Sequence, residues 1–536
     1  MTPDQVQARR WWILGVLILA LFGVTLDNMI LNVALPTLAA DLGATASQLQ
    51  WMVNAYVLVF AGLLLVAGAL SDRYGRRLAL VVGLAIFGFG SALTPLVATS
   101  GQLIALRALM GLGAALAMPS TLSIIADVFK AEERPKAIAT WGMVSGLGIL
   151  AGPILGGWLI GHFAWQSIFL VNVPFVAVGI LAAILVVPES RASNPVPLDP
   201  VGAALSVAGL VSLVYGIVSI PGEGWASPLV VGSLTAAVVL VGAFVWWERR
   251  VAHPMLDVRL FRDARFSAAS ISVTLVFFSL MGALFFLSQY LQGVLGLSAF
   301  EAGLRFIPIA VGVTVASPLA AILMIRVGTR ITAAAGLAIV AVGLGAMATL
   351  GTASGDLHIA TVLFVAAFGM GLAMTPTTDA IMGALPREQF GVGSAVNDTT
   401  REIGGALGVA ILGSILAALY ASAMGSAVAG LPAAAAETAR QSLAGAGVVA
   451  SGLGGPAGAV LLASAQRAFV HAMAVTSLVG IVFSVAGVFV ALAFLPTRAS
   501  DVAASARGGG AAGGDPTRLE PRAETTEDRR RRRQSA

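Results

Sequence analysis

Apolar runs long enough to cross a bilayer recur along almost the whole chain, separated by short loops, and no other feature restricts the fold so severely. The hydrocarbon core offers no water to backbone N–H and C=O groups. A crossing segment must therefore satisfy them internally, as a helix of about 20 residues. The runs fall near 12–34, 48–70, 78–97, 102–126, 137–160 and 167–187, then 200–220 and 229–247. Six more follow near 267–290, 303–325, 331–351, 358–380, 400–420 and 472–495. The expected fold is an all-α polytopic membrane protein with 14 transmembrane helices. Only 11% of residues are charged, against about 25% in soluble domains, which excludes a soluble alternative.

The loop charges test this count, because short cytoplasmic loops collect Lys and Arg. Arg9 and Arg10 precede the first run, and Arg73, Arg76 and Arg77 follow the second. Lys130, Arg134 and Lys136 follow the fourth, Arg191 the sixth, and Arg249 through Arg265 the eighth. Arg326 and Arg330 follow the tenth, and Arg387 the twelfth. The intervening short loops carry no Lys or Arg, and a miscount by one would scramble this alternation. Both termini are expected in the cytoplasm, with the chain in the inner membrane. No small-residue cleavage site follows the basic N-terminus, so the first run reads as an uncleaved helix.

Several chemistries drop out on composition. With no cysteine, disulfides and thiol catalysis are excluded. His162, His253, His358 and His471 are too scattered for a metal site. No G-x-x-x-x-G-K-[ST] loop is present, so no nucleotide cofactor is expected. The net charge of +5 comes largely from the tail and inner loops and does not imply nucleic acid.

Asp27 stands out against this background. It lies inside the first apolar run, where a carboxylate costs roughly 2.5–3.5 kcal/mol on insertion scales. Such a residue marks a functional site by default. At helical spacing Thr25, Asn28 and Asn32 share a sector that Asp27 borders, suggesting a water-filled cavity. Arg107 lies at a depth matching Asp27 within roughly one helical turn. It is the candidate partner. Two readings stay open, a proton-coupling pair and a permanent structural pair.

The loop after the second run reads Gly68-Ala-Leu-Ser-Asp72-Arg73-Tyr-Gly75-Arg76-Arg77. A worn echo, Leu323-Met-Ile-Arg326-Val-Gly328-Thr-Arg330, follows the tenth. The echo makes the tenth run the second helix of a second half, giving six helices, two inserted helices and six helices. Internal repeats of this kind mark transporters. The expected organisation is a six-helix bundle over 1–190, two linker helices and a cytoplasmic loop over 191–265, and a second six-helix bundle over 266–497 with an extracellular loop at 421–471. Residues 498–536 read as a disordered cytoplasmic tail, with Arg529–Arg533 near anionic lipid. In the first loop Gly75 permits a tight turn, Asp72 caps a helix or pairs across to a neighbour, and the arginines meet headgroups. The arginines alone would also serve as topological anchors.

These residues carry a resemblance. The first loop resembles the G-x-L-x-D-R-x-G-R-[RK] signature of the major facilitator superfamily, with its spacing kept. Gly148-Ile-Leu-Ala-Gly152-Pro153-Ile-Leu-Gly156-Gly157 looks like the G-x-x-x-G-P-x-x-G-G motif of that superfamily's drug antiporters. Asp27 with Asn32-Val-Ala-Leu-Pro36, Trp51 with Tyr56, Tyr290 to Gly296, and Gly404-Gly405-Ala-Leu-Gly408 fit as well. The chain departs from the pattern at Met29, Met110, Gln166-Ser167 and Glu402.

The resemblance implies a fourteen-helix drug:proton antiporter, monomeric, driven by the proton gradient without a cofactor, and exporting hydrophobic, cationic drugs or antibiotics. A dedicated exporter of one endogenous metabolite, antibiotic, lipid or siderophore is the alternative. The resemblance makes Arg107 the proton-coupling arginine, and Gly68, Asp72, Arg73, Gly75 and Arg76 the gating loop. It places the partner of the Gly148, Gly152 and Gly156 stripe in the other half, at span eight or eleven. Small residues let helices approach closely and Pro153 permits a bend, so the stripe reads as a seal between halves or as generic packing. Asn28, Asn32, Trp51, Asn54, Tyr56, Gln289 and Asn397 are candidates for the substrate cavity. Arg401 and Glu402 read as an ion pair at the start of span thirteen or as a gate. In 421–471, helices are expected from Leu431-Pro432 to Leu443 and from Pro456 to Phe469.

Overall fold

The computed structural model describes residues 3–497 apart from 43, 45, 193–198, 387–388 and 496. Within its helices a minority of side chains, including Met29, Asn32 and Pro153, are not described. The expectations for the C-terminal tail lie outside the described residues.

Every described element is helical. The first group comprises α1 (Pro3–Asp41), α2 (Ala46–Tyr74), α3 (Arg76–Ala92), α4 (Ser100–Val128) and α5 (Arg134–His162), then the short α6 (Ser167–Leu170) and α7 (Asn172–Val186). Next come α8 (Pro200–Glu223) and α9 (Pro228–Glu248). The last group comprises α10 (Ala264–Gln289), the short α11 (Ala299–Arg305), α12 (Ile307–Met347), α13 (Asp356–Gly383) and α14 (Phe390–Ala423), then α15 (Ala433–Gln441), α16 (Leu443–Leu453) and α17 (Gly455–Phe494).

Helix starts follow their capping residues. Thr99 and Gln102 form a capping box on α4, Asp199 accepts from the first N–H groups of α8, and Asp263 caps α10. Twelve described helices are long and apolar enough to cross a membrane. The longest of these, Phe300–Met347, contains a break at Gly328, whose φ of 90° is not helical.

The first group packs mainly within itself, through α2 on α4, α1 on α5, and α3 on α4 and α7. The last group does the same through α12, α13, α10, α14 and α17. Lipid supplies no hydrophobic force between helices, so close backbone approach supplies the attraction. A β-carbon added at Gly113 of α4 would stand 2.6 Å from the Gly83 carbonyl oxygen of α3. The pair α8–α9 lies against α2 and α14: Val211 packs on Gly62, and Ile217 and Ile220 pack on Ala410.

The loop over 421–471 differs from expectation. The first helix ends at Gln441, and Ser442 caps a second one, α16, that sequence reading missed. The chain breaks at Gly454 and Gly455, both at positive φ. Nothing interrupts the helix after that, so the expected segment 456–469 is the start of α17 and not a separate helix.

Candidate functional site

Asp27 on α1 is fully enclosed, and so is Arg107 on α4, at 0% and 1% side-chain exposure. Arg107 Nη1 donates to Asp27 Oδ2. Arg107 Nε donates to the Met52 carbonyl at 3.1 Å, and its guanidinium lies 4.4 Å from the centre of the Tyr56 ring. The other carboxylate oxygen, Asp27 Oδ1, accepts from Asn172 Nδ2 of α7 at 2.8 Å. Asn172 also reaches Ser91 Oγ at 3.4 Å, and Ser91 donates to the Met110 sulfur at 4.0 Å. Four helices thus meet on one carboxylate: α1 supplies it, and α2, α4 and α7 orient its partners.

Asp27 is itself enclosed, while Asn28 beside it is half-buried. Thr25 faces elsewhere, donating to the Leu21 carbonyl and packing on Gly148. Asn172 lies near a span end with nothing in the local sequence to single it out, and its role as the second arm on Asp27 depends on the position of α7. Met110, a departure from the family pattern, is part of the same network. Among the described residues, Asn172→Leu should leave Asp27 held by Arg107 alone. Losing a buried hydrogen bond to a charged group costs about 1.5–3 kcal/mol, so the detergent-solubilised protein should melt several degrees lower. An unchanged melting temperature would show that Asn172 does not support the pair.

At the end of the bundle that carries the basic loops, Asp72 crosses between the two groups. Its oxygens accept from the backbone N–H groups of Gly391 at 2.8 Å and Val392 at 3.1 Å, in the first turn of α14. A carboxylate is well placed at a helix N-terminus, where unsatisfied N–H groups and the helix dipole meet it. Arg76 binds Asp72 Oδ1 at 2.8 Å and lies 3.7 Å from Asp127 of α4. With 2% side-chain exposure, Arg76 is an internal strut and not a headgroup anchor. Arg73 lies beside Tyr74, toward the outside. Gly68 permits the approach, since a β-carbon there would stand 2.5 Å from the Gly391 carbonyl oxygen.

The repeat is visible in detail. Gly75 (φ 127°) and Gly328 (φ 90°) both adopt backbone conformations that L side chains rarely take. Each touches chain just beyond the last helix of its own group: Gly75 meets Glu189, and Gly328 meets Thr497. Arg77 donates to the carbonyl of Val187, the residue ending α7, and Arg330 donates to that of Leu495, the residue ending α17.

The span-five stripe meets a different partner from the one expected. β-Carbons at Gly148 and Gly156 would strike Thr25 and Ile30, both on α1 of the same group. The stripe lies inside the first bundle. Other α5 residues reach the second group: Gly142 lies near Ser317 and Met374, Gly157 near Phe300, and Arg134 pairs with Asp379. Gly152 is buried, while the Pro153 side chain lies outside the described residues.

The cavity candidates scatter. Asn28 sits at the Tyr56 hydroxyl, within the Asp27 cluster. Asn32 lies outside the described side chains, and Asn54 is half-buried on α2. Trp51 stacks on Tyr215 of α8, at the flank. Gln289 lines a separate cavity of about 340 Å³ with Trp225, Ser414, Tyr420 and Ser442, far along α10 toward the opposite end. Asn397 accepts from Thr378 at 3.2 Å and donates to Asp398 at 3.3 Å. Arg401 is not at a helix start. Helix α14 begins at Phe390, so Arg401 lies about three turns inside, 3.9 Å from Asp398 and stacked over Trp141 and Phe277.

Comparison with known proteins follows the same outline. Residues 17–409 match the family model of the Major Facilitator Superfamily. The multidrug efflux pump LfrA of Mycolicibacterium smegmatis is 35% identical over 488 residues, covering 89% of this chain and 95% of that protein. The tetracenomycin C resistance and export protein of Streptomyces glaucescens is 34% identical over 415 residues, 77% of each chain. Among solved structures, the human organic anion transporter MFSD10 superposes with a TM-score of 0.58 at 16% identity, covering 90% of this chain and 100% of that one.

Proposed function

This chain belongs to the major facilitator superfamily, and from that premise we propose that it exports hydrophobic, cationic drugs or antibiotics in exchange for protons, by alternating access. Membership makes it a multi-pass membrane transporter and not an enzyme. Relatives at 32–35% identity carry names of efflux or resistance, among them LfrA and a methyl viologen resistance protein of Salmonella typhimurium.

The observation that carries proton exchange is the enclosed Asp27–Arg107 pair with its Asn172 arm. An ion pair so deep in membrane-length helices is expensive to maintain and has a simple use. Protonation of Asp27 cancels the charge that joins α1 to α4. Arg107 keeps the Met52 carbonyl and the Tyr56 ring, so the guanidinium stays placed while the carboxyl is free to reorient. A proton taken at Asp27 from outside accompanies release of substrate, and its loss toward the cytoplasm restores the pair. The Asp72 cap on α14 closes the cytoplasmic side and opens in the alternate state.

The scheme takes the chain to cross the membrane fourteen times in a six, two, six order. Dividing the 48-residue candidate at Gly328 and adding the 29-residue α5 extends the twelve counted helices to fourteen. The basic loops then lie in the cytoplasm with both termini, in the inner membrane, and the protein works as a monomer.

Everted vesicles holding the protein should accumulate a cationic dye when an inward-acidic gradient is imposed, and a protonophore should end it. Accumulation indifferent to the gradient would overturn proton exchange. The similarity to a tetracenomycin C exporter favours a second reading, a dedicated exporter. A panel of cationic dyes and neutral antibiotics separates them: broad transport supports multidrug export, and transport of a single compound supports the dedicated reading.

A further inference from the structure

We propose that Arg134 and Asp379 form a second cytoplasmic latch between the two halves, replacing a carboxylate that the second repeat has lost. The inference rests on the alternating-access reading above. The repeat equates Gly75 with Gly328 and Arg77 with Arg330, a match the shared backbone contacts support. The position equivalent to Asp72 is therefore Ile325, whose apolar side chain is 78% exposed and cannot accept a hydrogen bond. By helix order, the counterpart of α14, the helix that Asp72 caps, is α5. Its first turn reads Arg134-Pro135-Lys136, and Pro135 has no N–H to offer. A cap like that of Asp72 on α14 cannot form there from either side.

The gap is closed by other residues. Arg134, the first residue of α5, sends Nε to Asp379 Oδ1 of α13 at 2.9 Å, with side-chain exposures of 14% and 6%. Gly383, one turn further along α13, gives the guanidinium room: a β-carbon there would lie 3.1 Å from Arg134 Nη2. The Asp72 cap joins α2 to α14, and the ion pair joins α5 to α13. They pin the two seams of the cytoplasmic side, and both must part before the path opens inward.

The two latches differ in chemistry. A carboxylate on a helix N-terminus works in one direction only, because the dipole has a fixed sign. An ion pair depends on opposite signs and tolerates their exchange. Spin labels on Ala131→Cys and Ala384→Cys, in a chain with no other cysteine, report the separation of the cytoplasmic ends of α5 and α13. Arg134→Gln and Asp379→Asn should each raise the ratio of long to short distances at least about fivefold, the lower bound of a two-state coupling. The exchange Arg134→Asp with Asp379→Arg should return the ratio toward that of the unaltered chain. Single variants that leave the distances unchanged, or an exchange that rescues nothing, would overturn the latch.

A second measurement does not depend on the strength of the ion pair. Arg134→Cys with Asp379→Cys, bridged by a short bifunctional methanethiosulfonate reagent that spans more than a direct disulfide can, should stop efflux, and efflux should resume on reduction. Full efflux by the cross-linked protein would show that this contact never needs to open. Because the distance readout requires no transport, failure of the latch remains distinguishable from failure of the exporter reading.

Discussion

Asp27→Asn is expected to abolish gradient-driven export while leaving a folded, membrane-inserted protein. The substitution keeps the shape of the side chain and removes its ability to exchange a proton. It leaves Arg107 without its counter-charge, and breaking a buried pair from one side typically costs about 3–5 kcal/mol. Here the loss is softened, because the guanidinium retains the Met52 carbonyl and the Tyr56 face. Arg107→Gln alone strands the carboxylate, which among the described residues keeps only the Asn172 amide, and should be the less stable of the two single variants. Combining both substitutions removes both charges, so melting temperature should recover although transport does not. That divergence separates a coupling role from a structural one. Transport by Asp27→Asn at the rate of the unaltered protein would remove Asp27 from the proton path.

The second large effect should come from Gly68→Val. The new β-carbon would stand 2.5 Å from the Gly391 carbonyl oxygen and 2.9 Å from the Ala395 β-carbon. The first of these is backbone, which cannot turn aside as a flexible side chain could. Overpacking costs about 1–3 kcal/mol, and at this position it acts only when α2 and α14 are in contact. Strain confined to one of two states moves their balance about 5- to 150-fold over that range. The variant should therefore rest open on the cytoplasmic side, with export reduced at least about fivefold and little loss of thermal stability. Gly15→Val serves as the control, since nothing lies within 4 Å of a β-carbon at Gly15. Wild-type export by Gly68→Val would show that the approach of α2 to α14 is not obligatory.

Features set by depth or by short-range pattern were readable from the chain alone. Asp27 and Arg107 could be matched because helix rise is constant and both are rare charges in apolar runs. The paired loops could be matched because Gly75 and Gly328 punctuate similar strings. What could not be read depended on which helix neighbours which. Asn172 looks like one polar residue near a span end until α7 is laid beside α1. The Gly148 and Gly156 stripe shows that a close neighbour exists, without naming it, and the neighbour is α1. In the sequence Arg401 stands at the start of an apolar run, 400–420, because the stretch before it, Ser394 to Thr400, is polar. That stretch is helical and largely buried, with Asn397 bonded to Thr378. The Arg134–Asp379 pair spans 245 positions and leaves no local trace at either end.

Helices α8 and α9 give the molecule a front and a back. Helix α8 rests on both α2 and α14 and so overlies the junction that Asp72 pins. Over the other junction, where α5 meets α12 and α13, no membrane-length helix lies among the described residues. In the alternating access proposed above, one flank would slide against the protein's own helices and the other against hydrocarbon. The resistance each flank meets therefore depends on different things. On one side it is set by side chains such as Val211 and Ile217, and on the other by the thickness and fluidity of the surrounding lipid.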